Sequence, residues 1–152
     1  MKALLFTTAL VASAPTAPDT FAVECRGDTL HTSVSDGKTD TQTFDLPDQI
    51  FVFSESSNIA LRAMPRRSEF ENICAIGSSG KAMEFSPAAI RVSWASPEGW
   101  KAATRCEFAF DRSEATATMR LSFAWSETRR TETEWRMACT PTQVPIYTQE
   151  ER

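Results

Sequence analysis

The sequence predicts an all-β fold: a single-domain antiparallel meander, closed or nearly closed into a barrel, with a two-sheet sandwich as the alternative. Three observations predict it. Period-two alternation of apolar and polar residues recurs along the chain, and helical periodicity barely appears. Pro- and Gly-containing turn signals cut the alternation into about eight to ten short strands. The last third holds three consecutive strands, each apolar on one face only. The 152 residues are 41% hydrophobic, enough for one packed core and far from a disordered composition.

The chain opens on an address. Met1-Lys2 is a short basic start, residues 3–12 are apolar, and Ala12-Ser13-Ala14 are small. This order marks residues 1–14 as a secretory signal peptide, too short to span a bilayer. Cleavage after Ser13 avoids placing Pro15 just beyond the cut. Residues 15–20 form a Pro-containing leader, 21–141 the β domain and 142–152 a polar C-terminal tail. Cleavage removes Lys2, leaving 15 basic against 20 acidic residues, a net charge of −5. An acidic chain is a poor partner for nucleic acid, and no membrane span is expected after cleavage.

The strands follow in order. Phe21, Val23 and Cys25 alternate with Ala22 and Glu24. Thr41–Leu46 and Ile50–Ser54 read as two strands around a turn at Pro47-Asp48. Ile59, Leu61 and Ala63 alternate until Pro65, and Ile73–Ile76 end at the turn signal Gly77-Ser78-Ser79-Gly80. Met83 and Phe85 precede Pro87. Ile90, Val92 and Trp94 precede the turn Pro97-Glu98-Gly99. Then Cys106, Phe108 and Phe110 share a face, as do Met119, Leu121, Phe123 and Trp125, and Thr133, Trp135, Met137 and Cys139. Turns are placed near Arg112-Ser113 and Thr128-Arg129-Arg130. Burial of each large side chain on that face contributes roughly 1.5–3 kcal/mol, so Trp125→Asp is expected to disrupt folding and Arg120→Gln to be nearly silent.

Four widely spaced cysteines, with no close pair of the kind zinc sites use, imply two disulfides in an oxidising compartment. With turns of two and three residues, Cys106 and Cys139 both lie opposite Met119, on either side of one strand. Two strand spacings, about 9.5 Å, exceed the disulfide limit of about 7 Å. Cys25–Cys139 with Cys74–Cys106 is preferred, because first and last strands meet when a sheet closes. Cys25–Cys106 with Cys74–Cys139 stays open.

Catalytic signatures are sparse. The one histidine, His31, stands among Thr and Leu residues and reads as a solvent-facing strand residue. No Gly-x-Ser-x-Gly, P-loop or His-Glu-x-x-His pattern occurs, and no metal or cofactor is expected. Glu107 and Asp111 share a polar strand face and are the one carboxylate pair considered for acid–base work. The run from Glu127 to Glu134 reads as a soluble hairpin tip with Arg129 and Arg130 exposed. Arg66-Arg67 is a second basic spot. Gly27-Asp28, within Arg26-Gly27-Asp28, reads as a turn.

The segments Phe21-Ala22-Val23-Glu24-Cys25-Arg26-Gly27, Phe44-Asp45-Leu46, Phe110-Asp111-Arg112 and Cys139-Thr140-Pro141 give a layout that resembles small exported β-rich proteins of Gram-negative bacteria, whose roles are not known. The resemblance implies no function. A fainter similarity is to periplasmic lysozyme inhibitors, also small disulfide-bearing β-barrels, without the inhibitory loop that would carry the activity over.

The expectation is therefore a periplasmic or secreted, non-catalytic binding module. It engages a protein partner through loops, with Trp100, Arg129 and Arg130 as the binding candidates. The alternative is a small apolar ligand held in a barrel pocket lined by Phe123, Trp125 and Trp135. An enzyme using a carboxylate pair is the third reading.

Overall fold

A computed structural model describes residues 19–74 and 81–146. It is all-β, with nine strands in one antiparallel sheet that curls into an open half-barrel. The strands are β1 (Thr20–Ser35), β2 (Lys38–Ser54), β3 (Ile59–Met64), β4 (Glu69–Asn72), β5 (Ala82–Phe85), β6 (Ala89–Ala95), β7 (Ala103–Asp111), β8 (Thr116–Ser126) and β9 (Arg129–Thr142). Their order is β4-β3-β2-β1-β9-β8-β7-β6-β5, so the first and last strands meet in the middle of the sheet. One sheet, not two, makes up the domain. The signal-peptide segment, the turn signal at 77–80 and the end of the tail lie outside the described residues.

The curl follows from where the phenylalanines sit. Phe51 and Phe53 on β2 and Phe108 and Phe110 on β7 are buried, although three strands separate β2 from β7 in the sheet. Their rings meet across the interior: Phe51 and Phe108 are 5.0 Å apart between centroids, Phe53 and Phe110 5.6 Å, and Phe21 joins Phe53 at 5.4 Å. Such pairs add roughly 0.5–1.5 kcal/mol each beyond the area they bury.

Two disulfides fix this arrangement, Cys25–Cys139 and Cys74–Cys106, the pairing preferred from the sequence. The first joins directly opposed residues of β1 and β9. The second ties the segment just after edge strand β4 to β7, across the mouth of the half-barrel.

Several local expectations are corrected. Pro47-Asp48 is not a turn between two strands. It lies in the middle of the 17-residue β2, where the register with β1 shifts between Cys25 and Gly27. Proline is tolerated there because β3 pairs with β2 only from Phe51 to Ser54, so this stretch is a sheet edge. The reversal before it is Asp36-Gly37, both with positive φ, the two-residue hairpin turn that right-twisted strands favour. Gly27-Asp28 is strand, not turn. A Cβ on Gly27 would lie 1.8 Å from the Arg136 carbonyl oxygen, so only glycine allows β1 and β9 this approach. Ser86–Ala89 is a hydrogen-bonded bend in which Ser86 Oγ accepts from the Ala89 N–H at 3.0 Å.

The β7–β8 turn is four residues long, 112–115, and the β8–β9 turn is Glu127-Thr128. Cys106 therefore opposes Leu121, and Met119 opposes Phe108 and Trp135. Asp111 Oδ1 closes the longer turn, accepting from the Ser113 and Glu114 N–H groups and from Ser113 Oγ at 2.7–2.9 Å. At the N-terminus the leader residue Asp19 plays the same part for the β2–β3 turn, accepting from Ser54, the Ser56 N–H and the Ser56 hydroxyl.

Candidate functional site

The half-barrel has two unlike ends. Around the disulfides its interior is filled. Beyond Cys25–Cys139, β1, β2, β8 and β9 continue as a twisted ribbon, residues 29–35, 38–46, 121–126 and 129–135, with β7 still paired to β8 from Ala103 to Cys106, and among the described residues no strand covers the inner face of its β1, β2 and β9 part. The tips are tied by the Asp36 N–H donating to the Thr128 carbonyl at 3.1 Å.

Register places the inner-face residues in rows across the ribbon. The row nearest the core is Phe44, Thr29, Trp135 and Met119. Next come Gln42, His31, Thr133 and Leu121, then Asp40, Ser33, Thr131 and Phe123. Trp125 stands beyond Phe123 at a register shift in β8. The centre of this surface is polar, and aromatic side chains flank it on both sides. Phe44 is 48% exposed and Trp125 45%, while Trp135, Phe123 and Leu121 are half-buried. His31 belongs to this face, not to the solvent-facing side. It is half-buried, with Nδ1 2.9 Å from Thr133 Oγ1.

Trp125 is held on both sides. Phe123 stacks on it at 6.0 Å, and the Arg129 guanidinium lies 5.4 Å from its ring centre. An arginine over an exposed indole adds about 0.5–1 kcal/mol. The hairpin tip thus presents a rigid aromatic–cationic cluster. Arg130 is exposed beside it, on the other face.

Phe123, Trp125 and Trp135 do not line one barrel pocket. Trp135 faces a recess of about 310 Å³ with Phe51, Ile73, Met119 and Leu121, next to the Cys74–Cys106 bond. Arg62 and Glu71, directly opposed on β3 and β4 and 3.1 Å apart, wall one side of it. Phe123 and Trp125 lie farther along β8 and outside this recess, with Phe123 between Thr104 of β7 and Thr131 of β9. Trp100 is 47% exposed and rests edge-on against buried Trp94 at 5.3 Å; it lies in the β6–β7 connection, three residues before Ala103, which pairs with Ala124 of β8.

The outer face is a charge ladder. Glu107 opposes Arg120, which opposes Glu134. Hydrogen bonds from Arg136 first, and then Arg120, hold the Glu134 carboxyl below its ordinary range. Hydrogen bonding to Glu134 raises Arg120 in turn. Asp111 is also shifted down, by the Glu114 N–H and then Ser113. That direction is opposite to the one a general acid needs, and the Asp111 carboxylate is engaged in its turn. Arg66 and Arg67 fall in a three-residue 3₁₀ turn, with Arg67 3.4 Å from Glu69.

Sequence reasoning missed Phe44, Gln42 and His31 as members of this surface. The signal was present: Asp36-Gly37 between β-prone runs would have set the β1–β2 register and put Phe44 on the face of Trp135. Comparison with protein-family models, with curated proteins and with solved structures finds no match.

Proposed function

We propose that this chain is a non-catalytic binding module of an extracytoplasmic compartment, periplasmic or secreted, and that it engages a protein partner on the inner face of the ribbon. Its two disulfides suit an oxidising environment, as does the resemblance to small exported β-rich proteins. The observation that carries the reading is Phe44 and Trp125, each nearly half exposed, on one face that no second layer covers among the described residues. Large aromatics and arginine clustered in this way supply most of the energy of protein interfaces. The loops give way to the strands as the contact surface: Arg129 stays in it through Trp125, while Trp100 is engaged with Trp94 and is left out of the proposed face.

A photo-crosslinking residue at position 125 of the exported chain tests the reading, with position 118 on the outer face as control. The expected result is a covalent adduct with a second protein from position 125 and none from 118. No adduct from 125, or equal adducts from both, removes the reading.

The recess beside Trp135 favours a second reading, a small apolar ligand. Native and denaturing mass spectra of the purified protein would then differ by a discrete ligand mass. Identical masses speak against it.

A further inference from the structure

The sheet has two edge strands, β4 and β5, of four residues each. Short edges of this kind resist unwanted pairing. The far side of β2 is different. From Lys38 to Ile50 it has β1 on one side and, among the described residues, no strand on the other. Residues 38–45 are exposed throughout.

The hairpin turn decides which backbone groups face outward. Ser35 and Lys38 flank the two-residue Asp36-Gly37 turn as a hydrogen-bonded pair, so Lys38, Asp40, Gln42 and Phe44 aim their N–H and C=O groups at β1. Thr39, Thr41, Thr43 and Asp45 aim theirs away from it. These four positions are symmetric about Gln42, and Pro47, which has no N–H, ends the series.

We propose that two copies of this chain pair through β2, antiparallel about a two-fold axis at Gln42, and so join their two inner faces into one surface. In that register Thr39 opposes Asp45 of the second copy, Thr41 opposes Thr43, Asp40 opposes Phe44 and Lys38 opposes Leu46. Every outward N–H between the turn and Pro47 is used. No two like charges are directly opposed, and each exposed Phe44 gains a neighbouring strand. Pairing by a two-fold axis also closes on itself, since it consumes both free edges and leaves nothing for a third copy. Asp40, Asp45, Asp48 and Pro47 guard the edge against unregistered pairing while permitting this one.

The test starts from the disulfide-intact protein in sedimentation equilibrium, from about 10 μM to about 1 mM, the range of weak to moderate association. A concentration-dependent dimer is expected, and a monomer throughout overturns the proposal. Gln42→Cys sets two thiols opposite each other in a non-hydrogen-bonded pair, where strands come closest. A covalent 42–42 dimer is expected, with both native disulfides intact by peptide mapping. Thr118→Cys should remain monomeric, and equal cross-linking of the two variants overturns the proposal. Thr43→Pro removes an outward N–H and spares the bonds to β1. It should abolish the dimer while circular dichroism stays native. Retention of the dimer in Thr43→Pro contradicts the strand pairing. Each outcome is independent of whether a different protein is captured at position 125.

Discussion

The packed end and the projecting ribbon are built from the same four strands, yet they behave as different materials. At Val23, Phe51 and Phe53 of β1 and β2 the inner face is sealed by rings from β7 and stapled by Cys25–Cys139. Ten residues along the same strands, at Ser33 and Gln42, no second layer covers the inner face among the described residues. Backbone pairing is continuous between the two. Stability therefore belongs to the end where the sheet curls far enough for side chains to meet across it, and availability for contact to the end where it does not. The ribbon's order rests on hydrogen bonds and cross-strand pairs, which are worth only about 0.2–1 kcal/mol each.

The largest expected effect is in the packed end. Phe53→Ala, at a fully buried position, should cost about 3–5 kcal/mol in urea unfolding. Replacing Cys25 and Cys139 together by Ser should cost about 2–5 kcal/mol, since the bond closes a separation of 114 residues and joins the first strand to the last. Gly27→Ala should cost about 1–3 kcal/mol, because Arg136 backbone and not a flexible side chain stands in the way. Trp125→Ala, in the ribbon, should change unfolding by less than about 1.5 kcal/mol, reflecting a side chain only half removed from water. At 45% exposure Trp125 is not the buried position on which the expected disruption by Trp125→Asp was based. A loss at position 125 equal to that at 53 would erase the distinction between the ends.

The smallest effect is acid dependence. Asp111 has a folded-state pKa below its ordinary 3.8, chiefly through the Glu114 N–H. Its contribution is present at neutral pH and is lost as the pH falls below about 4 and the carboxylate protonates. Asp111→Asn should lower stability slightly at neutral pH, leave it unchanged in strong acid, and so flatten the acid limb of the stability profile. A profile that keeps its slope would show that the turn does not depend on this charge.

How much of this was legible depends on parity. The expected turns missed the observed register of β7–β9 by two and four residues, both even numbers. Every residue of Cys106–Phe110 and Met119–Phe123 therefore stayed on its expected face, since only an odd slip turns a strand over. Pro47-Asp48 misled for a different reason: proline signals a turn only where its neighbours need the missing N–H, and on an open edge they do not. Curvature was the least legible property. Whether Trp125 and Trp135 share a pocket depends on how far the sheet curls, and that is set by distant contacts such as Phe51 with Phe108 rather than by any local pattern.

The most direct measurement takes one variant, Phe44→Ala with Trp125→Ala, and reads it twice: urea unfolding, and photo-crosslinking from position 33 at the centre of the ribbon face. Unfolding should shift by no more than about 2 kcal/mol while the cross-linked partner disappears. A variant that unfolds, or one that keeps its partner, would contradict the division between a packed end that holds the fold and an open end that binds.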